Sequence, residues 1–172
     1  MIRLLNPDME YMEAISDFKE EFIIHGEEDI PGGELMDRTD SITQWIEYVN
    51  NNRDKNTLAA GWVVSDTFIA VDEVDNVVGV IVLRHELNDF LKDFGHIGFS
   101  VRPSERGKGI ATYMLRKVLE VARKINLSQL QLSCMDDNIP SKKIILANGG
   151  IHHRSFKYND EPASVYIIKL EK

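Results

Sequence analysis

Apolar positions recur along this chain with two different spacings, and the change from one to the other divides it. Met12, Ile15, Phe18, Phe22 and Ile23 recur at helical spacing, which predicts a first helix from a cap at Asp8 to about His25, ended by Gly26. Ser41 caps a second predicted helix through Asn50, with Ile42, Trp45, Ile46 and Val49 on one face. From Trp62 onward strands take over. Thr67 to Val71 and Val77 to Leu83 read as a hairpin around Asp75-Asn76, and His96 to Val101 as a further strand. A helix follows with Ile110, Met114, Val118, Val121 and Ile125 on its buried face. Then come a short strand from Gln129 to Ser133, a helix from Asn138 to about Asn148, and a closing antiparallel pair at Ile151–Phe156 and Val165–Leu170. A short strand at Ile2–Leu5 opens the chain. The order β-α-α-β-β-β-α-β-α-β-β predicts an α/β domain spanning residues 1–172, a mixed, mostly antiparallel sheet with helices against it and one parallel crossover.

The segment joining the His96–Val101 strand to the next helix carries the chemistry. It reads Arg102-Pro-Ser-Glu-Arg106-Gly107-Lys108-Gly109-Ile110-Ala111-Thr112. A strand, a glycine turn and a helix N-terminus form an anion site: the first N–H groups of the helix lack partners, and the helix dipole places positive charge there. Arg106 and Lys108 are expected to add full charges for phosphate oxygens. Two common phosphate motifs fail. A P-loop requires glycine where Arg102 stands and Ser or Thr where Gly109 stands, and a dinucleotide fingerprint requires a third glycine where Thr112 stands.

What fits is Arg-x-x-Gly-x-Ala at Arg106, Gly109 and Ala111, preceded by Val101-x-Pro. This resembles the acyl-CoA pyrophosphate loop of the GNAT superfamily of N-acetyltransferases, and the element order matches that fold over nearly the whole chain. The resemblance is strongest from Gly95 to Gly150, which makes residues 95–150 the expected donor-binding core. It implies acetyl-CoA as cosubstrate. Backbone groups of Phe99, Ser100 and Val101 would hold the pantetheine arm, and the amides from Arg106 through Gly107, Lys108, Gly109, Ile110 and Ala111, with Thr112 close by, the pyrophosphate. Asn138-x-x-Ser141 resembles a second family segment that approaches the pantetheine and the acyl sulfur; both residues also suit helix capping. The expected function is acetyl transfer to a primary amine, small or peptidic, by direct attack in a ternary complex, with the backbone N–H of Val101 or its neighbour holding the oxyanion. Relatives carry a proton-donating tyrosine seven residues after the asparagine; here that residue is Ile145, so a non-catalytic acyl-CoA-binding domain is the rival reading. Homodimers are common on this fold.

Composition narrows the partners. A formal net charge of −8 argues against nucleic acid or an anionic membrane and suits a cationic amine. The single cysteine, Cys134, fits a reducing compartment, and the short apolar N-terminus does not read as a signal peptide, so a cytoplasmic protein is expected. His96 is the candidate base, with Glu34, Asp37 and Glu86 as candidate contacts for a cationic acceptor. Cys134 reads as a small buried residue. His152-His153 lack a third ligand at sensible spacing, so no metal is expected.

Overall fold

The computed structural model describes residues 1–171. The elements run β1 (Arg3–Leu5), α1 (Met12–Ile24), α2 (Ile42–Asn51), β2 (Ser65–Val71), β3 (Val77–Arg84), β4 (Ile97–Val101), α3 (Ile110–Lys124), β5 (Gln129–Met135), α4 (Ile139–Ala147), β6 (Ile151–Tyr158) and β7 (Glu161–Lys169). This is the predicted order. Asp8 caps as expected, but onto a short tight turn at Met9–Tyr11 that precedes α1. Ser41 Oγ accepts from the Gln44 N–H at 3.2 Å and starts α2. The last strand begins earlier than its apolar pattern suggests. Asn159 and Asp160, both with left-handed backbone (φ 49° and 65°), form a tight turn that pairs Tyr158 with Glu161.

The strands form two sheets rather than one. The first has order β1-β2-β3-β4 and the second β5-β7-β6, with every neighbouring pair antiparallel. β4 and β5, expected as the parallel neighbours of the crossover, meet at an isolated bridge between Gly95 and Leu132, where the His96 N–H donates to Gln131 O at 2.7 Å. No further ladder joins them among the described residues. Beyond this pinch the two strands part, and their C-terminal ends lead into the N-termini of α3 and α4.

β3 is buried along its whole length, because both faces of its sheet are covered. On one face Phe18 and Phe22 of α1 and Trp45 of α2 pack against Ile69, Val71 and Val80. On the other, Met114, Leu115 and Val118 of α3 pack against Ile81, Leu83 and Ile97, and the same core continues to Leu130, Tyr166 and Ile168 of the second sheet. α3 therefore holds the two sheets together at the place where their backbones do not.

Candidate functional site

The alternation of antiparallel bonds fixes which backbone groups line the cleft between β4 and β5. Arg102 N–H donates to Val78 O and Arg84 N–H to His96 O, and the register pairs Ser100 with Val80 and Gly98 with Val82. The even-numbered residues thus turn their peptide groups toward β3. Ile97, Phe99 and Val101 turn theirs toward the free edge. Phe99 and Val101 therefore face the free edge with their backbone groups. Ser100 does not: its backbone belongs to the β3 ladder, and its hydroxyl donates to Pro31 O at 2.6 Å. That bond helps seat the 30–37 turn over β4, where Gly32 lies so close to the strand that a Cβ would stand 2.3 Å from Gly98 O.

The glycine turn lies at the open end. Pro103–Glu105 form a single tight turn, Gly107 and Gly109 both take φ 79°, and Gly109 is the N-cap of α3 with no side chain capping it. A Cβ at either glycine would meet nothing within 4 Å. Backbone conformation, not crowding, thus demands glycine here, and the amides of the first turn have no intrahelical partner. Ile110 and Ala111 are buried on α3 while Thr112 is exposed.

The basic side chains act differently from the expectation. The guanidinium of Arg106 is turned away to a bidentate pair with Glu27, at 2.6 and 2.7 Å, and its Nε donates to Val101 O at 3.2 Å. It ties the loop to the end of α1 and offers the loop only its backbone. Lys108 pairs with Glu105 at 2.9 Å at an exposed position. Below the loop, Glu21 accepts from Arg102 Nε at 2.5 Å and Ser104 N–H at 2.7 Å. Burial pulls the Glu21 carboxyl upward, but these bonds outweigh it and hold it down at about 2.

At α4, Asn138 Oδ1 accepts from the Ser141 N–H at 3.3 Å, so its side chain caps the helix. Ser141 is half-buried and Asn138 exposed, at the parted end of β5. Ile145 is 1% exposed and packs in the core, so no side chain at that position can protonate a thiolate. Burial, and then the charge of Asp136, push the Cys134 thiol up, which disfavours the nucleophilic thiolate.

His96 sits at the pinch with one ring nitrogen already engaged. Its Nδ1 accepts the Gln131 N–H at 3.0 Å, and a backbone amide can only donate. The lone pair is occupied, Nε2 carries the proton, and burial followed by the Arg84 charge lowers the imidazole to about 4. His96 therefore fastens β4 to β5 and presents an N–H. Asp37 is also engaged, accepting from the Ile30 N–H at 3.2 Å, and Glu86 is exposed after β3. Glu34 is buried beside the pinch in a 2.6 Å ion pair with Arg84. Arg84 escapes notice in the sequence; its signal is a lone charge at the end of the apolar run Val77–Leu83.

No described helix is long and apolar enough to cross a membrane. The family model of the acetyltransferase (GNAT) domain matches residues 15–151. No curated protein matches the chain in sequence. Among solved structures, the ribosomal-protein-S5-alanine acetyltransferase from Vibrio fischeri superposes with a TM-score of 0.74 at 15% identity, over 99% of this chain and 93% of that one. A chimera of the spermidine N-acetyltransferase SpeG from Vibrio cholerae and hSSAT gives 0.67 at 16% identity, covering 98% and 95%. The microcin C7 self-immunity acetyltransferase MccE, in complex with acetyl-CoA and AMP, gives 0.70 at 15% identity, covering 98% and 92%. At these identities the likeness is one of fold.

Proposed function

The chain belongs to the GNAT acetyltransferase family, and from that premise we propose that it transfers an acetyl group from acetyl-CoA to a primary amine by direct attack in a ternary complex. The observation that carries this reading is the cleft itself: a free strand edge running from an uncapped helix N-terminus to a closed pinch. The pyrophosphate lies on the amides from Arg106 to Ala111, and the pantetheine arm runs along β4 toward His96. Phe99 and Val101 each offer it an N–H and, at Phe99, a free C=O. From Val101 to His96 the strand spans roughly 17 Å, so the thioester lies inside the cleft, between the mouth and the pinch. The residues holding the donor thus fall within 95–150.

The oxyanion contact shifts accordingly. Val101 lies at the mouth and its carbonyl is held by Arg106. The Phe99 N–H lies one pleat deeper, and it is the donor we assign to the tetrahedral intermediate. The amine nitrogen bonds to the acetyl carbon, the C–S bond breaks, and the proton shed by nitrogen ends on the thiol of CoA. With His96 Nδ1 engaged by the Gln131 N–H and Ile145 apolar, positioning and water exclusion supply most of the rate. Isothermal titration with acetyl-CoA, followed by thiol release over a panel of amines, tests the reading. A folded protein that does not bind acetyl-CoA overturns it, whereas binding without turnover of any amine favours the non-catalytic rival.

A further inference from the structure

The closed end of the cleft abuts a polar cluster that acetyl transfer, as described, leaves unused. Arg84 donates from Nη1 to Gly95 O at 3.0 Å and from Nη2 to Glu34 Oε1 at 2.6 Å. The Arg84 and Glu34 side chains are only 10% and 4% exposed, yet each keeps one atom without a partner: the donor Arg84 Nε and the acceptor Glu34 Oε2. The guanidinium lies over the ring of Trp62, 6.0 Å from its centroid, and the indole Nε1 is likewise buried and unpartnered. These are the only buried side-chain nitrogen or oxygen atoms without a partner among the described residues, and they all belong to one cluster. Buried polar groups are almost always satisfied, so three together, beside the place where an acetyl group would lie, mark the cluster as a candidate binding site.

The ligand that completes the cluster must give one hydrogen bond and receive two. An amine whose neighbouring carbon bears a carbonyl or carboxylate does so: its N–H reaches Glu34 Oε2, and its oxygen lone pairs accept from Arg84 Nε and Trp62 Nε1. A plain alkylamine or a polyamine satisfies Glu34 and leaves both donors empty. The surroundings specify the rest of the molecule. Trp62 heads a row of rings through Phe90 (6.2 Å), Phe94 (5.5 Å) and Tyr158 (5.7 Å between centroids). Phe90 is 67% exposed, which leaves an apolar rim with nothing packed on it. The 30–37 turn brings Glu34 to the cluster. Glu34 and Leu35 there hold left-handed backbone (φ 48° and 69°), fastened by Trp45 Nε1 to Gly33 O at 2.6 Å.

We propose that Glu34, Arg84 and Trp62 form an acceptor subsite for an α-aminoacyl group with an apolar side chain, supplied as a free amino acid or as a peptide N-terminus. This rests on the acetyl-transfer reading. The test uses phenylalanine, phenylalanine amide and 2-phenylethylamine, which share the ring and amine but differ in the carbonyl group. Their affinities for the CoA-loaded protein are measured by calorimetry, and their kcat/KM by thiol release. One of the first two should exceed 2-phenylethylamine by on the order of tenfold or more. A preference for phenylalanine points to free amino acids, and one for the amide to peptides. Trp62→Phe removes the indole donor and should shrink the ratio. Equal values for all three, or binding of none by a protein that binds CoA, overturn the subsite; trapped water then satisfies the cluster. Failure to bind CoA overturns the donor reading instead.

Discussion

Gly109→Asp separates the fold from its ligand. Gly109 has φ 79° and open space where a Cβ would stand. The substitution therefore meets no clash and costs only left-handed backbone, roughly 1–2 kcal/mol for an ordinary residue and less for Asp or Asn. At this chain length about 1 kcal/mol shifts Tm by about 2–4 °C. The charge acts on the pyrophosphate far more strongly. A pair of like charges 4 Å apart repels by about 1 kcal/mol in bulk water and about 4 kcal/mol at an effective dielectric of 20. Two phosphate charges thus cost at least about 2 kcal/mol, or about thirtyfold in Kd. Gly109→Asn has nearly the same shape without the charge. Calorimetry with acetyl-CoA should show a large loss for Asp and a much smaller one for Asn, with both proteins folded by thermal melt. Equal losses, or an Asp variant within about threefold of the parent, would refute a phosphate site at this turn.

Gly32→Ala should destabilise the protein by about 3 kcal/mol or more, since its Cβ would stand 2.3 Å from Gly98 O at φ 78°; a denaturant midpoint close to the parent's would show that the turn does not lie against β4. His96, held at about 4 against an ordinary 6.5, leaves the unfolded chain binding a proton that the folded chain does not. Stability should therefore fall by up to about 3 kcal/mol as pH drops from about 6.5 through about 4, and His96→Gln should flatten that fall in denaturation curves. The same variant should keep turnover within about tenfold; a hundredfold loss would restore His96 as a base. Glu21→Gln should cost about 2 kcal/mol at neutral pH and much less near pH 2, where the parent carboxyl is already half protonated; an equal cost at both would mean that its charge does not hold Arg102 and Ser104.

The glycine turn was legible in the sequence because it is local: strand, glycines and helix start lie within about one dozen consecutive residues, and each constrains the next. Helix caps at Asp8, Ser41 and Asn138 were legible for the same reason. The division into two sheets was not, since alternation records which face of a strand is buried and is silent about which neighbour bonds its edge. Ser100 illustrates the point, correctly placed on a strand whose bonding phase only the Arg102–Val78 and Arg84–His96 contacts reveal. Arg106 was read by its charge, but its partner Glu27 stands far back in the chain. Glu34 was named as an acid, while its meaning depends on Arg84, fifty residues later, and on Trp62 between them. Sequence spacing cannot announce such a meeting.

Among the described residues β4 and β5 join only at the Gly95–His96 pinch, so the two ladders are coupled chiefly through α3. A donor lying along the free edge would act as a removable strand. In its absence the amides of Phe99 and Val101 should exchange with solvent readily, and the β5-β7-β6 ladder should open without unravelling the first sheet. With the cleft filled, protection should rise across both ladders together, and the protein should become a single cooperative unit only while its substrate completes it.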